Sequence, residues 1–120
     1  MSTEPTDASP PLPREPSAWR PETHFGQKIK GLNGDRKRHL DGDIVRGCIE
    51  RGTATKVNRD IYHLREEFGG VSYTLVVDAA TREVITGYPD AIDADAARES
   101  GRWSSQQIAD IQHFIATDPR

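Results

Sequence analysis

Val71-Ser72-Tyr73-Thr74-Leu75-Val76-Val77 decides the fold. Val71, Tyr73, Leu75 and Val77 recur at every second position, the period of a strand with one buried face. Gly69-Gly70 just before it reads as a tight hairpin turn. The preceding run, Ile61–Phe68, is a second strand, in which Ile61, His63 and Arg65 oppose Tyr62, Leu64 and Glu66. Downstream, Asp78–Arg82 reads as a turn. Glu83–Thr86 reads as the next strand, ending at Gly87-Tyr88-Pro89. Ala54–Asn58 adds a short strand upstream. Consecutive strands joined by short turns make an antiparallel meander.

Helices flank this sheet in the sequence. Asp41 reads as the cap of a helix whose stripe is Ile44, Val45, Cys48 and Ile49, and Gly52 as its C′ residue. A shorter helix is expected from His24, capped by Thr23, with Phe25, Ile29 and Leu32 near helical spacing and a turn at Asn33-Gly34. After Pro89 the acidic, alanine-rich stretch to Arg102 reads as a loop or weak helix. A last helix opens at Ser104 or Ser105, with Ile108, Ile111 and Ile115 as its stripe and Phe114 beside it. The expected class is α+β: N-terminal helices packed on a three- to four-stranded antiparallel sheet, plus a C-terminal helix.

Residues 1–22 hold six of the chain's eight prolines and little apolar surface. Such a stretch cannot offset an ordering cost of roughly 1–2 kcal/mol per residue. It reads as a disordered proline-rich tail in which Trp19 is a local anchor. Residues 23–117 then form a single domain, large enough for one core. Net charge is −3, but the charge is segregated. Between His24 and Arg38 stand Lys28, Lys30, Arg36, Lys37 and Arg38 against Asp35 alone, whereas from Asp78 onward eight acids face four arginines. A basic first half suits a phosphate backbone, and the acidic last third suits a protein-facing surface.

Cys48 is the only cysteine, so neither an internal disulfide nor a thiolate metal cluster can form. Its place in an apolar stripe reads as a buried, inert thiol. No apolar run approaches the ~20 residues of a membrane span, and no signal peptide is evident, so a cytoplasmic protein is expected, or one exported by a route that leaves no such mark. The four histidines His24, His39, His63 and His113 show no zinc-site spacing, and neither a metal nor a cofactor is expected. No lysine-bearing phosphate loop and no G-x-S-x-G elbow occurs. What remains suits metal-independent RNA cleavage. That reaction needs a base for the 2′-hydroxyl, an acid for the 5′-oxygen and a cation for the phosphorane charge. Histidine serves either proton role, Lys or Arg the charge, and Thr or Tyr hydroxyls can orient the phosphate.

His24-Phe25-Gly26-Gln27-Lys28, the helix ending at Arg51-Gly52, the β-meander, and Val84-Ile85-Thr86-Gly87-Tyr88-Pro89 together carry a resemblance. Over residues 23–90 the chain resembles the barnase, EndoU, colicin and RelE superfamily of small RNase toxin domains. Those domains place one or two helices before a four-stranded antiparallel sheet. Many carry a helical His with a nearby Lys, and a Thr-x-Tyr ending a late strand. The resemblance implies that His24 is the general acid or base, that Lys28 holds phosphate, and that Thr86 and Tyr88 face the scissile group. It casts Lys30, Arg36, Lys37, Arg38 and His39 as RNA-binding, with Arg38 or His39 supplying a further cation or proton carrier. It also implies RNA as substrate and an antitoxin protein as partner. Three readings stay open: a toxin-type endoribonuclease, a non-catalytic module of the same fold that binds protein or nucleic acid, and a small host or plasmid-borne protein whose sheet carries no chemistry at all.

Overall fold

The computed structural model describes residues 12–21 and 38–118. A 3-10 turn at Pro16–Ala18 leads into β1 (Arg20–Pro21). There follow α1 (Gly42–Arg51), β2 (Thr53–Lys56), β3 (Ile61–Phe68), β4 (Val71–Asp78), β5 (Glu83–Ile92), α2 (Ala94–Ser100) and α3 (Ser105–Thr117). The five strands form one mixed sheet in the order β1-β5-β4-β3-β2. Strands β2 to β5 pair antiparallel, as the meander requires, while β1 runs parallel to β5.

The alternation in β4 sets the two faces of the sheet. Val71, Tyr73, Leu75 and Val77 are all fully buried on the helix face. Leu64, Phe68 and Val84 join them by register, and Ile44, Cys48 and Ile49 of α1 pack against them. Tyr73 stacks on Trp103 with centroids 6.2 Å apart, and the Trp103 indole N–H donates to the Phe68 carbonyl at 3.0 Å. The β3–β4 turn has φ of +56° at Gly69 and +86° at Gly70, which glycine adopts without strain. A Cβ at Gly70 would also lie 2.6 Å from the Ala97 backbone nitrogen, so the turn doubles as the seat of α2.

Several expectations change. Helix α1 starts as read, with the Asp41 carboxylate accepting from the Ile44 N–H at 3.0 Å. Its C-cap Gly52 is extended, at φ −65°, and not left-handed. Glycine is needed there for close approach, because a Cβ would meet the Cys48 carbonyl oxygen at 2.4 Å. Strand β5 does not stop at Thr86 but continues through Pro89 to Ile92. The proline is tolerated because β1 pairs only with Glu83 and Val84, which leaves this stretch of β5 without a second neighbour among the described strands. The segment expected as a loop or weak helix thus supplies the end of β5 and all of α2. Asp93 caps α2, and Gly101 ends it in the left-handed region. The C-terminal part therefore has two helices and not one. Ser104 caps α3 in a capping box with Gln107, and Phe114 is the buried third member of the stripe, where Ile115 was expected. The short helix expected at His24 lies outside the described residues.

The domain boundary also moves. Residues 12–21, expected as tail, pack on the domain. Trp19 is only 8% exposed and belongs to the core cluster. Its indole N–H donates to the Pro13 carbonyl at 3.0 Å, and the Arg82 guanidinium lies 5.8 Å above its ring. Arg14 donates to the carbonyls of Ile49 and Gly52, at 3.2 and 2.7 Å, where the end of α1 leaves acceptors unpaired. One large aromatic and one capping cation outweigh the average composition of the segment. Trp19→Ala is expected to cost about 3 kcal/mol in urea denaturation. A loss below about 0.5 kcal/mol, the size of an ordinary surface change, would show that this strap is not part of the cooperative unit.

Candidate functional site

Thr86 and Tyr88 reach one face of β5 through a bulge. Val77 pairs with Val84, but Val76 pairs with Thr86, so Ile85 is the extra residue. Without it, Thr86 would pair with Leu75 and point into the core. With it, Thr86 and Tyr88 share the outer face with Val76 and Thr74, while Gly87 and Pro89 pair with Leu75 and Tyr73. Gly87 therefore sits over the core, where a Cβ would lie 3.0 Å from Leu75 Cδ1 and 3.2 Å from Leu40 Cδ2. Tyr88 is 6% exposed and lines a cavity of about 100 Å³ with Asp90, Phe114 and Asp118. The same outer face carries His63, level with Val76 and Thr86, and Arg65, level with Thr74 and Tyr88.

Arg38 and His39 meet this strand from the opposite end of the sequence. The Tyr73 hydroxyl donates to the Arg38 carbonyl, and the His39 carbonyl oxygen lies 3.3 Å from the same hydroxyl. That anchors this segment of backbone over the core, with both side chains half-buried. The Arg38 guanidinium donates to Thr86 Oγ1 at 3.2 Å and to the Gly87 carbonyl at 2.8 Å, on the part of β5 that β1 leaves uncovered. It also lies 5.3 Å above the Phe114 ring. His39 has a left-handed backbone, φ +50°, and its Nε2 lies 3.0 Å from the Asp110 carboxylate. The other oxygen of Asp110 accepts from Gln106 at 2.9 Å. His39 also lines a cavity of about 340 Å³ with Leu40, Asp41, Asp43, Arg102, Trp103 and Gln107.

Of the residues singled out in the sequence, Arg38 and Thr86 are thus brought into contact, and His39 and Tyr88 flank them. His24, Lys28, Lys30, Arg36 and Lys37 lie outside the described residues. Sequence reasoning missed Asp110 and the Tyr73 hydroxyl. Asp110 sits beside the stripe of α3 with no motif around it, and its partner is 71 positions away. It also missed Asp90, which accepts from Thr74 at 2.6 Å and from Arg65 at 2.9 Å, while its other oxygen is buried with no hydrogen-bond partner among the described residues. Among those residues no group of three or more His, Cys, Asp or Glu is placed to hold a metal, and no helix is long and apolar enough to cross a membrane.

Cys48 stands outside this site. Burial pushes its thiol up to about 12, with the Glu66 carboxylate adding to the shift and Arg51 opposing it. A thiol so held is protonated near neutral pH and is no nucleophile. The chain matches no family model, no curated protein and no solved structure.

The Cys48 shift gives a prediction. The folded state holds the thiol proton to about pH 12, whereas the unfolded state releases it near 9. Between those limits the unfolded chain binds fewer protons, so stability falls as pH rises. Cys48→Ala is expected to remove this part of the alkaline loss in denaturant titrations. An alkaline slope unchanged by the substitution would contradict the buried-thiol account.

Proposed function

We propose that this domain is a metal-independent endoribonuclease of the toxin type, as its resemblance to the small RNase toxins implies. The observation that carries the reading is the bidentate contact of Arg38 with Thr86 and Gly87. It brings the end of the basic segment onto the Thr-x-Tyr strand. A guanidinium beside a hydroxyl suits a phosphodiester, because it offers charge-assisted donors where negative charge develops on the phosphorane. In the reaction, the ribose 2′-oxygen attacks phosphorus and the P–O5′ bond breaks. The products are a 2′,3′-cyclic phosphate and a 5′-hydroxyl. One proton leaves the 2′-hydroxyl and one is given to the 5′-oxygen, so no net proton and no cofactor is consumed. His24 is assigned to one of these transfers, Lys28 to phosphate, and Lys30, Arg36 and Lys37 to the RNA backbone. An antitoxin protein is the proposed partner, covering the basic surface.

The second reading, a non-catalytic module that binds protein or nucleic acid, draws on the burial of Tyr88, whose ring is packed beside α3. Cleavage of labelled RNA in EDTA separates the two. Wild type is expected to cut, and His24→Ala and Thr86→Val are each expected to lose about 100-fold in rate with the fold retained by circular dichroism. Wild-type protein inactive on free RNA and on translating ribosomes would sink the nuclease reading. Salt-sensitive RNA binding without cleavage would then favour the module.

A further inference from the structure

We propose that His39, held by Asp110, is the general base of this site and takes the proton of the ribose 2′-hydroxyl. The inference rests on the ribonuclease reading above and gives the proton removal to a residue other than His24.

Three features of the geometry carry it. Asp110 is side-chain buried to 13% exposure and lies on the Nε2 side of the imidazole. A carboxylate accepts from the Nε2 proton, which leaves Nδ1 as the lone-pair nitrogen and stabilises the imidazolium that proton uptake creates. Asp110 is itself fixed by Gln106, so it is a positioning residue for the ring. Second, the imidazole and the Arg38 guanidinium lie side by side along α3. One meets Asp110 and the other Phe114, four residues on, about one helical turn or 5.4 Å away. The proposal sets the phosphate at Arg38 and Thr86 and gives its ribose hydroxyl to the neighbouring ring. Third, His39 keeps a left-handed backbone that costs a non-glycine residue free energy. Its carbonyl oxygen lies 3.3 Å from the Tyr73 hydroxyl.

The cavity that His39 lines has the size of a small-ligand pocket. Its two rim carboxylates are each opposite an arginine, Asp41 with Arg102 at 3.9 Å and Asp43 with Arg46 at 3.5 Å. Those pairings reduce the repulsion that unpaired carboxylates would impose on a phosphodiester. Leu40 and Trp103 form its apolar part. A nucleoside, with an apolar base face and a polar ribose, fits this lining.

The test uses the full chain, in EDTA, on labelled RNA and on translating ribosomes. His39→Asn and His39→Gly are chosen because both residues tolerate a left-handed backbone. His39→Asn is expected to lose about 100-fold or more in kcat while melting as wild type does. Asp110→Asn is expected to lower kcat with KM unchanged. His39→Gly is expected to regain activity with added imidazoles, more with the more basic ones, which identifies proton removal. His39→Asn cutting within about threefold of wild type overturns the base assignment and leaves the nuclease reading standing. So does rescue of His39→Gly that is absent, or that falls with imidazole basicity. Should His39→Asn fail to fold, the glycine variant decides alone. Wild type inactive on both substrates overturns the nuclease reading, and this assignment with it.

Discussion

The Tyr73 hydroxyl is the interaction on which the rest of the site depends. The ring is fully buried in the centre of β4, stacked on Trp103 and edge-on to Phe68. A phenol at that depth must find acceptors or leave a buried donor unmet, at a cost of about 1–3 kcal/mol. It finds them in the carbonyls of Arg38 and His39, just before α1. Core packing therefore fixes a polar segment. From that segment Arg38 reaches β5 and the Phe114 ring of α3, and His39 reaches Asp110 of α3. The site is positioned by the best-packed residue of the sheet, which is how a rigid scaffold holds groups that need small tolerances.

Much of this fold is legible in the sequence, for definite reasons. The alternation of Val71, Tyr73, Leu75 and Val77 survives intact because β4 is paired on both sides and buried on one face. The caps at Asp41 and Ser104 are local chemistry, and both occur where the sequence places them. Reading failed where tertiary context overrides a local signal. Gly87 and Pro89 read as the end of a strand. In the fold, Gly87 is small because Leu75 and Leu40 lie against it, and Pro89 stands where β5 has lost its outer neighbour. The strap at Trp19 was hidden by the prolines around it.

Part of the geometry of β5 was legible too. Thr86 and Tyr88 share a face, as strand alternation requires, but the same rule would add Val84 to that face. The bulge at Ile85 separates them. No composition or period marks a single extra residue in a ladder. The pairing of His39 with Asp110, and of Arg38 with Thr86, joins positions 71 and 48 residues apart. Such contacts follow from the path of the chain and leave no trace in spacing.

The bulge also explains why polar chemistry is tolerable at this edge. Shifting β5 by one residue exchanges the faces of the whole Thr86–Pro89 run. It gives the core a glycine and a proline, which carry no polar side chain to satisfy, and gives the outer face two hydroxyls. The second irregularity, at Asp90, resets the phase so that Ile92 pairs with Val71 in the core. Between the two bulges the core face carries only Gly87 and Pro89, and both hydroxyls lie on the other face. Arg38 enters where β1 has ended and the strand edge is open to a donor. Register, strand length and the reach of one arginine thus converge on the same few residues, and a sheet with an unbroken ladder would have placed Thr86 against Leu75 with no cation beside it.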